Sequence, residues 1–468
     1  MKFINRHKEL KLLSNASRQK EASFIVLYGR RRIGKTRLLL EWVKQYQGIY
    51  WVADESSASI QRSYFAQAVA ACFPGFDAVE YPSWNSILQR IYQEAKFRQW
   101  RGPLVIDEFP YLVKNAPELP SLLQRWIDHE AKELNLVLAI AGSSQSMMQG
   151  LVLDESAPLF GRASLIINLK PIAVPYFKEA FEVKQPRSII TAYTLLGGVP
   201  RYWELAKPHK GHWNKALDEL ILDPMGVLHQ EPSRLLLEEQ PSAISLRPLL
   251  DAIGLGAHRL SEIAGRLEVK STSLSKPLSR LQELGLIQKE FCFGENEKNS
   301  KRTLYKISDP FFRLWFKIVG PNRSLLAHVN AEQRVKIAQN FLPHLEAYAW
   351  EELCRQAIPL LDLQWASVQR YWNKSEPEWD IAAFSQGDSN KVLLGECKWP
   401  QSPLSSKELE IFIQQLMAKN IPAFLKKPSV DVTYVFCVPD KPPRLQPIKN
   451  VWIVDASSII DAFLAMDA

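Results

Sequence analysis

Short, continuous apolar runs alternate with helical patterns over about the first 235 residues. Continuous apolar runs of four to six residues are typical of strands that are buried on both faces of a parallel sheet. The alternation of such strands with helices predicts a doubly wound α/β domain. The predicted strands are Phe24–Tyr28, Gly48–Val52, Leu104–Asp107 and Leu136–Ile140.

The pattern changes twice further along the chain. Residues from about 240 to 307 predict helices followed by a small hairpin, and prolines at 224, 232 and 241 suit a linker before them. Residues 310–468 open with an aromatic helical segment and then predict strands near 392–395, 432–436 and 451–454. This third block is predicted to be a second α/β or α+β unit.

A phosphate-binding loop follows the first predicted strand. Residues 29–36 match the eight-residue Walker A pattern, and a helical pattern begins at Thr36. Glycines allow the tight turn that aims backbone N–H groups at phosphate oxygens, and the helix N-terminus adds positive potential. Lys35 is predicted to neutralise the β- and γ-phosphates, and Thr36 to bind Mg²⁺. The predicted nucleotide-binding residues are Gly29, Arg30, Arg31, Arg32, Ile33, Gly34, Lys35, Thr36 and Arg37.

The apolar run at 104–107 ends in two carboxylates. Asp107 is predicted to hold the Mg²⁺ shell, and Glu108 to activate the attacking water as a general base. The alternative is a strand followed by a solvated turn, which the nearby Walker A loop makes less favourable. Arg162 and Arg201 are candidates for stabilising transition-state charge, with a surface salt bridge as the alternative for each.

The middle region predicts a winged helix. A helix at 258–267 with Ser261 as its cap, a helix within 271–284 and a hairpin of 286–293 with 303–307 follow one another in that order. Pro277 favours a later start of the second helix. Residues 258–306 carry ten basic and six acidic side chains, a net charge of +4, so contact with DNA phosphates is possible. The alternative is a module that packs between domains or binds protein. The candidate phosphate contacts are Lys276, Arg280, Lys298, Lys301 and Arg302.

Carboxylates and a lysine form a pattern near the C-terminus. Residues two apart share one face of a strand, so Glu396 and Lys398 are expected to point into one pocket, with Asp380 on the neighbouring strand. Asp380 and Glu396 are predicted to hold a divalent metal, and Lys398 to act on the attacking water or the phosphate. Glu351 is the preferred additional ligand over Glu346. The alternative is a set of charged residues at strand ends.

Composition limits the compartment and the partners. The formal net charge is +8, which permits a polyanionic partner. No apolar run approaches the length of a membrane span, and the charged N-terminus is unlike a secretory signal. Five scattered cysteines argue against a disulfide framework and against a zinc site. We therefore expect a cytoplasmic protein without a membrane partner.

The chain resembles prokaryotic AAA-type ATPases of the archaeal-ATPase-like group that end in a nuclease-like domain of unknown function. The resemblance rests on Phe3–Leu10, the Walker A loop, Ile106–Phe109, Gly142–Ser144, Phe160–Arg162, Gly197–Tyr202 and the Asp380, Glu396 and Lys398 pattern. It implies ATP rather than GTP, places Asn5 and Arg6 near the base, and makes Arg162 a finger or sensor. It also implies a link between nucleotide state and oligomerisation.

The predicted architecture is an α/β P-loop NTPase with a parallel sheet and a helical lid, followed by a winged helix and an α/β nuclease-like domain. The predicted boundaries are 1–170 for the ATPase core, 171–240 for the lid, 241–308 for the winged helix and 309–468 for the restriction-endonuclease-like domain. Two functions remain open. The first is an ATPase that uses ATP and Mg²⁺ to control DNA binding or cleavage. The second is a nucleotide-controlled signalling scaffold that binds a protein partner or forms a homo-oligomer.

Overall fold

The fold was analysed in a computed structural model. It describes residues 3–239, 241–296, 298, 300, 302–426, 429–443 and 446–467. Lys301, one of the predicted phosphate contacts, lies outside these residues. Within them, no helix combines the length and the apolar character that crossing a bilayer requires.

The first part of the chain is built on a five-stranded sheet with the order β2-β3-β4-β1-β5, in which every pair is parallel. The sheet confirms the predicted α/β class with a parallel sheet, and it adds β5, which the sequence analysis did not predict. Its strands are β1 Ser23–Tyr28, β2 Ile49–Val52, β3 Leu104–Asp107, β4 Val137–Gly142 and β5 Leu165–Asn168. The helices around it are α1 His7–Arg18, α2 Lys35–Tyr46, α3 Ala58–Ala70, α4 Trp84–Arg98, α5 Phe109–Asn115, α6 Leu119–Trp126 and α7 Gln145–Met148.

The strand order brings the predicted phosphate-binding and carboxylate residues to one edge of the sheet. β4 lies between β1 and β3, and all three strands run parallel, so their carboxyl ends share one edge of the sheet. The phosphate-binding loop follows β1, the two carboxylates follow β3, and Ser143 and Ser144 follow β4. The core strands bury apolar side chains on both faces, as their sequence predicts.

Short helices follow this sheet. They are α8 Phe177–Phe181, α9 Pro186–Leu196, α10 Pro200–Ala206, α11 Trp213–Leu217, α12 Glu231–Glu239 and α13 Arg247–Gly254. The segment contains buried aromatic residues, and Phe177 packs on Trp203 with ring centroids 4.1 Å apart. The described residues from 171 to 239 form helices and connecting segments without a strand, and the lid and its boundaries stay a prediction.

The next elements have the order predicted for a winged helix. They are α14 Leu260–Arg266, α15 Ser275–Glu283 and the antiparallel pair β6 Ile287–Phe291 and β7 Thr303–Ile307. Pro277 lies in the first turn of α15, as expected. The prediction that Ser261 caps the first helix is wrong: Arg259 occupies the cap position, and the Glu262 carboxylate accepts from the backbone N–H groups of His258 and Arg259.

The hairpin β6–β7 does not project freely. Cys292 forms a parallel bridge with Arg370, and the backbone N–H of Phe293 donates to the Arg370 carbonyl at 2.8 Å. The Phe293 ring packs on Phe384 and Phe424. The base and the end of the hairpin that the structure describes are thus packed against the third block.

The third block combines helices with a mixed sheet. Its order is β12-β11-β10-β9-β8, in which the pairs β8–β9 and β9–β10 are antiparallel and the pairs β10–β11 and β11–β12 are parallel. The helices are α16 Pro310–Leu314, α17 Gly320–His328, α18 Ala331–Gln339, α19 Leu342–Leu361, α20 Ser406–Ala418 and α21 Ala456–Asp467. The strands are β8 Gln369–Asn373, β9 Glu376–Ser385, β10 Asp388–Cys397, β11 Asp431–Cys437 and β12 Val451–Val454.

One large apolar core connects the regions that follow the first sheet, and a second, smaller core lies between the hairpin and the outer face of the third block's sheet. The large core joins residues of the predicted lid, the middle module and the third block, from Ile172 to Phe463. α21 packs on α19 and on α9. The three predicted regions after residue 170 therefore share buried surface.

A substitution at Gly395 would test how closely β10 and β11 pack in the second sheet. A methyl group at this position would lie 2.3 Å from Cγ1 and 2.5 Å from the carbonyl oxygen of Val435 on β11. We expect Gly395→Ala to lower the free energy of unfolding by roughly 1–3 kcal/mol because the two strands must move apart. The measurement is the midpoint of urea unfolding. Gly265→Ala is the control, since a methyl group there meets nothing within 4 Å and α14 gains helix propensity. Equal midpoints for both variants would contradict the prediction.

Candidate functional site

The phosphate-binding loop has the backbone that its glycines predict. Gly29 and Gly34 have φ values of 155° and 94°. A Cβ on Gly29 would lie 2.6 Å from the carbonyl oxygen of Leu169, so the loop requires glycine there. Arg32 also has a positive φ, 65°, which tightens the turn before α2.

Lys35 lies in the middle of this loop. Its ammonium donates to the carbonyls of Gly29 at 2.8 Å and Arg30 at 3.2 Å. The side chain is buried, and this burial lowers the pKa of Lys35 to about 8, although Glu108 and Asp107 oppose the shift. A partly desolvated ammonium held by carbonyls is available to a phosphate that approaches from the cavity.

Asp107 accepts hydrogen bonds from two hydroxyl groups beside the phosphate-binding loop. Its Oδ2 accepts from the Thr36 hydroxyl at 2.8 Å and from the Tyr50 hydroxyl at 2.7 Å. Asp107 is only 1% exposed. Burial and the adjacent Asp107 carboxylate raise the pKa of Tyr50, so this phenol stays a donor. The structure thus brings together Thr36 and Asp107, and adds Tyr50, which no local pattern marked.

Glu108 lies beside this group, at the start of α5. It has a positive φ of 53°, and its carboxylate accepts from the hydroxyl of Ser143 and, at 3.3 Å, from the Ser143 backbone N–H. Ser144 donates to the Glu239 carboxylate at 3.1 Å. The ends of β3 and β4 therefore meet at one point, as their predicted positions in a parallel sheet require.

A cavity of about 500 Å³ opens over these groups. Lys35, Thr36, Glu108 and Ser143 line it together with the loop residues Arg31, Arg32, Ile33, Gly34 and Arg37. Phe3, Ile4 and Arg6 line it as well, where the resemblance places the base. Arg37 is exposed and pairs with Glu41.

The two candidate arginines have different positions. Arg201 lines the cavity and pairs with Glu204 at 3.1 Å. Arg162 is not among the lining residues: it pairs with Asp128 at 3.0 Å and donates to the carbonyls of Pro158 and Phe160. Within this chain both arginines therefore have the salt bridge that was the alternative, Arg162 with Asp128 and Arg201 with Glu204. A role for either in stabilising transition-state charge stays a prediction.

The loop arginines are held by acidic residues far along the chain. Arg32 pairs with Glu231 at 2.5 Å and with Glu238 at 3.1 Å, and Arg31 approaches Glu238 at 3.8 Å. The Arg30 side chain turns away from the cavity to pair with Asp309 at 2.7 Å. Both α12 and the start of α16 thus contact the phosphate-binding loop.

Residues 197–202 pack around the Asp309 carboxylate and the Arg30 guanidinium that it binds. Its carboxylate accepts from the backbone N–H of Phe312 at 3.1 Å and caps α16. A Cβ on Gly197 would lie 3.1 Å from the Asp309 Oδ1, and Gly197 has a φ of 58°. The Tyr202 hydroxyl donates to Glu231 at 2.8 Å and accepts from Arg30 at 3.3 Å. This segment joins the phosphate-binding loop to the third block.

The C-terminal carboxylates are brought together on adjacent strands. Asp380 on β9 accepts from the backbone N–H of Cys397 at 3.0 Å, and Lys398 donates to Glu396 at 3.0 Å. Glu351 on α19 lies nearby, and burial and the Asp380 carboxylate raise its pKa to about 7. Burial and Glu396 raise the pKa of Asp380 in turn. Glu346 is elsewhere, hydrogen-bonded to Thr191 and Trp399.

Two cationic residues that the sequence analysis did not identify lie beside this C-terminal group. Lys419, which follows α20, forms an ion pair with Glu396 and donates to the carbonyl of Glu378. Arg355 donates to the Asp380 carbonyl at 3.1 Å and lies 3.7 Å from Glu351. Apart from the Arg355–Glu351 pair on α19, these contacts join residues more than 20 apart in sequence, so no spacing pattern could have marked them.

Three cysteines converge behind the same strands. Cys354, Cys397 and Cys437 are buried, and their sulfur atoms all lie within 4.8 Å of one another. Cys397 and Cys437 are register partners on β10 and β11. The argument from scattered positions against a zinc site was therefore wrong about proximity, because parallel pairing joins residues 40 apart. Three thiols are a ligand set that suits thiophilic cations.

Family models match two parts of the chain. Residues 3–205 match an ATPase domain found predominantly in Archaea. Residues 315–411 match a family of archaeal and bacterial proteins of unknown function.

Two proteins of Methanocaldococcus jannaschii are similar to this chain in sequence. An uncharacterized protein of Methanocaldococcus jannaschii is 29% identical over 427 residues, which cover 89% of this chain and 92% of that protein. An uncharacterized ATP-binding protein of the same organism is 43% identical over 42 residues, 9% of this chain and 71% of that protein.

A solved structure gives the fold. The Walker-type ATPase of Pyrococcus abyssi superposes with a TM-score of 0.53 at 20% identity, and the match covers 68% of this chain and 96% of that one. The strand order, the loop geometry and the family match agree with one another. Residues 3–205 therefore match an ATPase domain in sequence, and the chain shares the fold of a Walker-type ATPase.

Proposed function

We propose that this protein binds and hydrolyses ATP, and that nucleotide state controls DNA binding or nucleic-acid cleavage by its C-terminal half in the cytoplasm. The observation that carries the hydrolase part is the position of Glu108, which lines the cavity beside Lys35 and the Thr36–Asp107 pair. A general base next to a phosphate-binding lysine is the arrangement that hydrolysis of a phosphoanhydride requires.

The residues present fit a nucleotide with Mg²⁺. The Thr36 hydroxyl and the Asp107 carboxylate are hard oxygen donors 2.8 Å apart, which is the ligand type that Mg²⁺ takes in proteins. The bound cation supplies charge neutralisation on the phosphates. Thr36 and Asp107 are the residues that would hold it.

The chain's own groups carry the remaining work. Lys35 and the backbone N–H groups of the loop bind and orient the phosphates. Ser143 holds the Glu108 carboxylate toward the cavity, and Glu108 accepts a proton from the attacking water. Arg201 lies where it can stabilise charge on the transferred group.

Control of the C-terminal half rests on the loop arginines. Lys35 donates to the carbonyl of Arg30, while the Arg30 guanidinium pairs with Asp309. When Lys35 turns to a phosphate, the Arg30 carbonyl loses a donor, and the backbone that positions the Arg30–Asp309 pair changes. Asp309 caps α16, so the change reaches the third block directly.

The support for DNA is an exposed polar face. Thr272, Ser273, Ser275, Lys276 and Ser279 are exposed on α15 and the turn before it, where a winged helix presents its recognition helix. Lys298 is exposed too, whereas Arg280 pairs with Glu283 and Arg302 with Glu295.

The support for cleavage is the group around Asp380. Asp380 and Glu396 are oxygen donors on adjacent strands, Glu351 adds a third, and Lys398 lies beside Glu396. The oxygens of these three carboxylates do not all lie within 4.8 Å of one another, so a divalent metal would have to draw them together. Lys398 would stabilise charge on the phosphate. Lys419 contacts the Glu396 carboxylate and would have to turn away to admit a metal.

Packing of the hairpin favours a second candidate function. The contacts of Cys292 and Phe293 with the third block leave the hairpin less free to contact DNA. A nucleotide-controlled scaffold, whose winged helix and nuclease-like domain bind a protein partner or a second copy of the chain, explains this packing. ATP turnover that is indifferent to double-stranded DNA would favour the scaffold.

The first test concerns hydrolysis. We expect Lys35→Ala to abolish ATP turnover with Mg²⁺, because the phosphates lose their main cation. Glu108→Gln should retain nucleotide binding and lower turnover by about 10²–10⁴-fold, the usual contribution of a general base. Lys44→Ala, an exposed lysine in α2, is the matched control and should leave turnover unchanged. Unchanged turnover in Lys35→Ala would refute the assignment.

The second test concerns control by nucleotide. In the wild type, we expect ATP to change the affinity for double-stranded DNA by about 5–150-fold, the usual range of coupling between two sites. Asp309→Asn should bring that ratio close to one, since Arg30 loses its charged partner. If Asp309→Asn folds poorly, Tyr202→Phe replaces it in the test. This variant keeps the ring and removes only the hydroxyl that contacts Arg30, and it should also reduce the ratio.

The matched control for coupling is Asp440→Asn. The Arg187–Asp440 pair, at 2.8 Å, also joins the helical segment to the third block, but neither residue lines the nucleotide cavity. Binding measured by fluorescence anisotropy should give the wild-type ratio for this variant. A wild-type ratio in Asp309→Asn and Tyr202→Phe as well would exclude the proposed route.

The third test concerns cleavage. Metal-dependent cleavage of DNA or RNA should be lost in Asp380→Ala and in Lys398→Ala, because the metal or the charge on the phosphate is no longer held. Asp431→Ala and Lys391→Ala remove exposed residues of the same types from the same sheet and should cleave like the wild type. Cleavage by all four variants at equal rates would show that Asp380 and Lys398 do not form the site.

A further inference from the structure

A second cavity, of about 240 Å³, lies between the middle module and the helices of the third block. Three of its lining residues are cations, Lys306 on β7, Arg313 on α16 and Lys317 just after it. His258, His344 and Tyr348 also line it, and its remaining walls are apolar or glycine. No aspartate or glutamate is among the described lining residues.

Lys306 is the unusual residue of this cavity. It is 7% exposed, and its ammonium has no hydrogen bond or ion pair with any residue that the structure describes. Burial lowers the pKa of Lys306 to about 8, while the more distant Glu290 and Glu351 partly oppose this shift. A largely buried lysine without an ion pair is uncommon, because such groups are usually paired.

Tyr348 supplies a second unsatisfied group. Its hydroxyl is buried and has no hydrogen-bond partner among the described residues. The ring lies between two cations, 5.0 Å from the Lys306 ammonium and 4.4 Å from the Arg313 guanidinium. Buried hydroxyls normally have partners, so this one also indicates an absent acceptor.

Two other polar residues of the lining have partners within the protein. Arg313 donates to the carbonyls of Ile307 and Ser308 and pairs with Glu352, so it is held in place as a fixed positive charge. His258 contacts the Tyr305 carbonyl at 3.1 Å through Nδ1, and burial lowers its pKa to about 4, so it is neutral. The excess charge therefore comes from Lys306 and Lys317, with Arg313 beside them.

We propose that this cavity binds a small phosphate-bearing anion, with Lys306 and Lys317 as its charged contacts and the Tyr348 hydroxyl as a donor. The size of the cavity suits one or two phosphate groups better than a whole triphosphate nucleotide, and the charge suits a group with at least two negative charges. The inference is independent of ATP hydrolysis, because no residue of the P-loop contributes to this cavity.

An anion in this cavity would contact both sides of it. Lys306 belongs to the hairpin of the middle module, and Tyr348 belongs to α19, the helix that also carries Glu351. Occupancy would therefore strengthen the contact between that module and the helix of the C-terminal acidic group.

The experiment is a calorimetric titration of the full chain with pyrophosphate, and in parallel with AMP. The two probes carry the same phosphate chemistry as a free anion and as part of a nucleotide. Because the P-loop also binds phosphate, the titration is done in a Lys35→Ala background. We expect one remaining site, and Lys306→Met should weaken it by at least about tenfold, equivalent to roughly 1.4 kcal/mol. Tyr348→Phe should weaken it several-fold.

Lys289→Met is the matched control. Lys289 lies on the neighbouring strand β6 of the same hairpin and does not line the cavity. Lys306→Met removes an uncompensated buried charge, so without anion it should unfold at the same temperature as the parent or higher. Binding of either probe that depends on Lys306 supports the proposal. Equal affinity in Lys306→Met and Lys289→Met, or no binding in the Lys35→Ala background, would overturn it.

Discussion

The buried ion pair between Arg30 and Asp309 is the contact on which the arrangement of the chain depends. Burying a guanidinium costs hydration free energy that only a close carboxylate restores, so neither partner can be left alone in the interior. The pair fixes the phosphate-binding loop against the start of the third block, 279 residues away. Gly197 leaves space for the carboxylate, and Tyr202 extends the network to Glu231. The glycine-rich segment is therefore part of the nucleotide site's support.

This network changes the electrostatics of the loop. Three consecutive arginines make residues 30–32 strongly cationic in sequence, yet Glu231, Glu238 and Asp309 balance those charges in the fold. The groups that bind phosphate are then Lys35, the backbone N–H groups and the helix N-terminus. The arginines act instead as connections between the loop and the two helical regions that would respond to it.

Much of the fold and of both sites could be predicted because the signals are local. Apolar runs gave the strands near Phe24 and Leu104, and parallel pairing then placed Asp107 and Glu108 beside the loop. The two-residue period of a strand likewise placed Glu396 with Lys398. What could not be predicted depends on long-range packing: the partner of Arg30, the approach of Lys419 to Glu396, and the convergence of the three thiols. No local pattern shows either that Arg201 lines the cavity and Arg162 does not.

The continuous apolar core from Ile172 to Phe463 has a consequence for synthesis of the protein. The first sheet uses only residues up to 168 and can form while the rest is still on the ribosome. Helix α9 packs on both α19 and α21, so the core to which it belongs is incomplete until residues 456–467 have emerged. During that interval the segment after residue 171 exposes apolar surface, which makes it the part of the nascent chain with the greatest need of a chaperone.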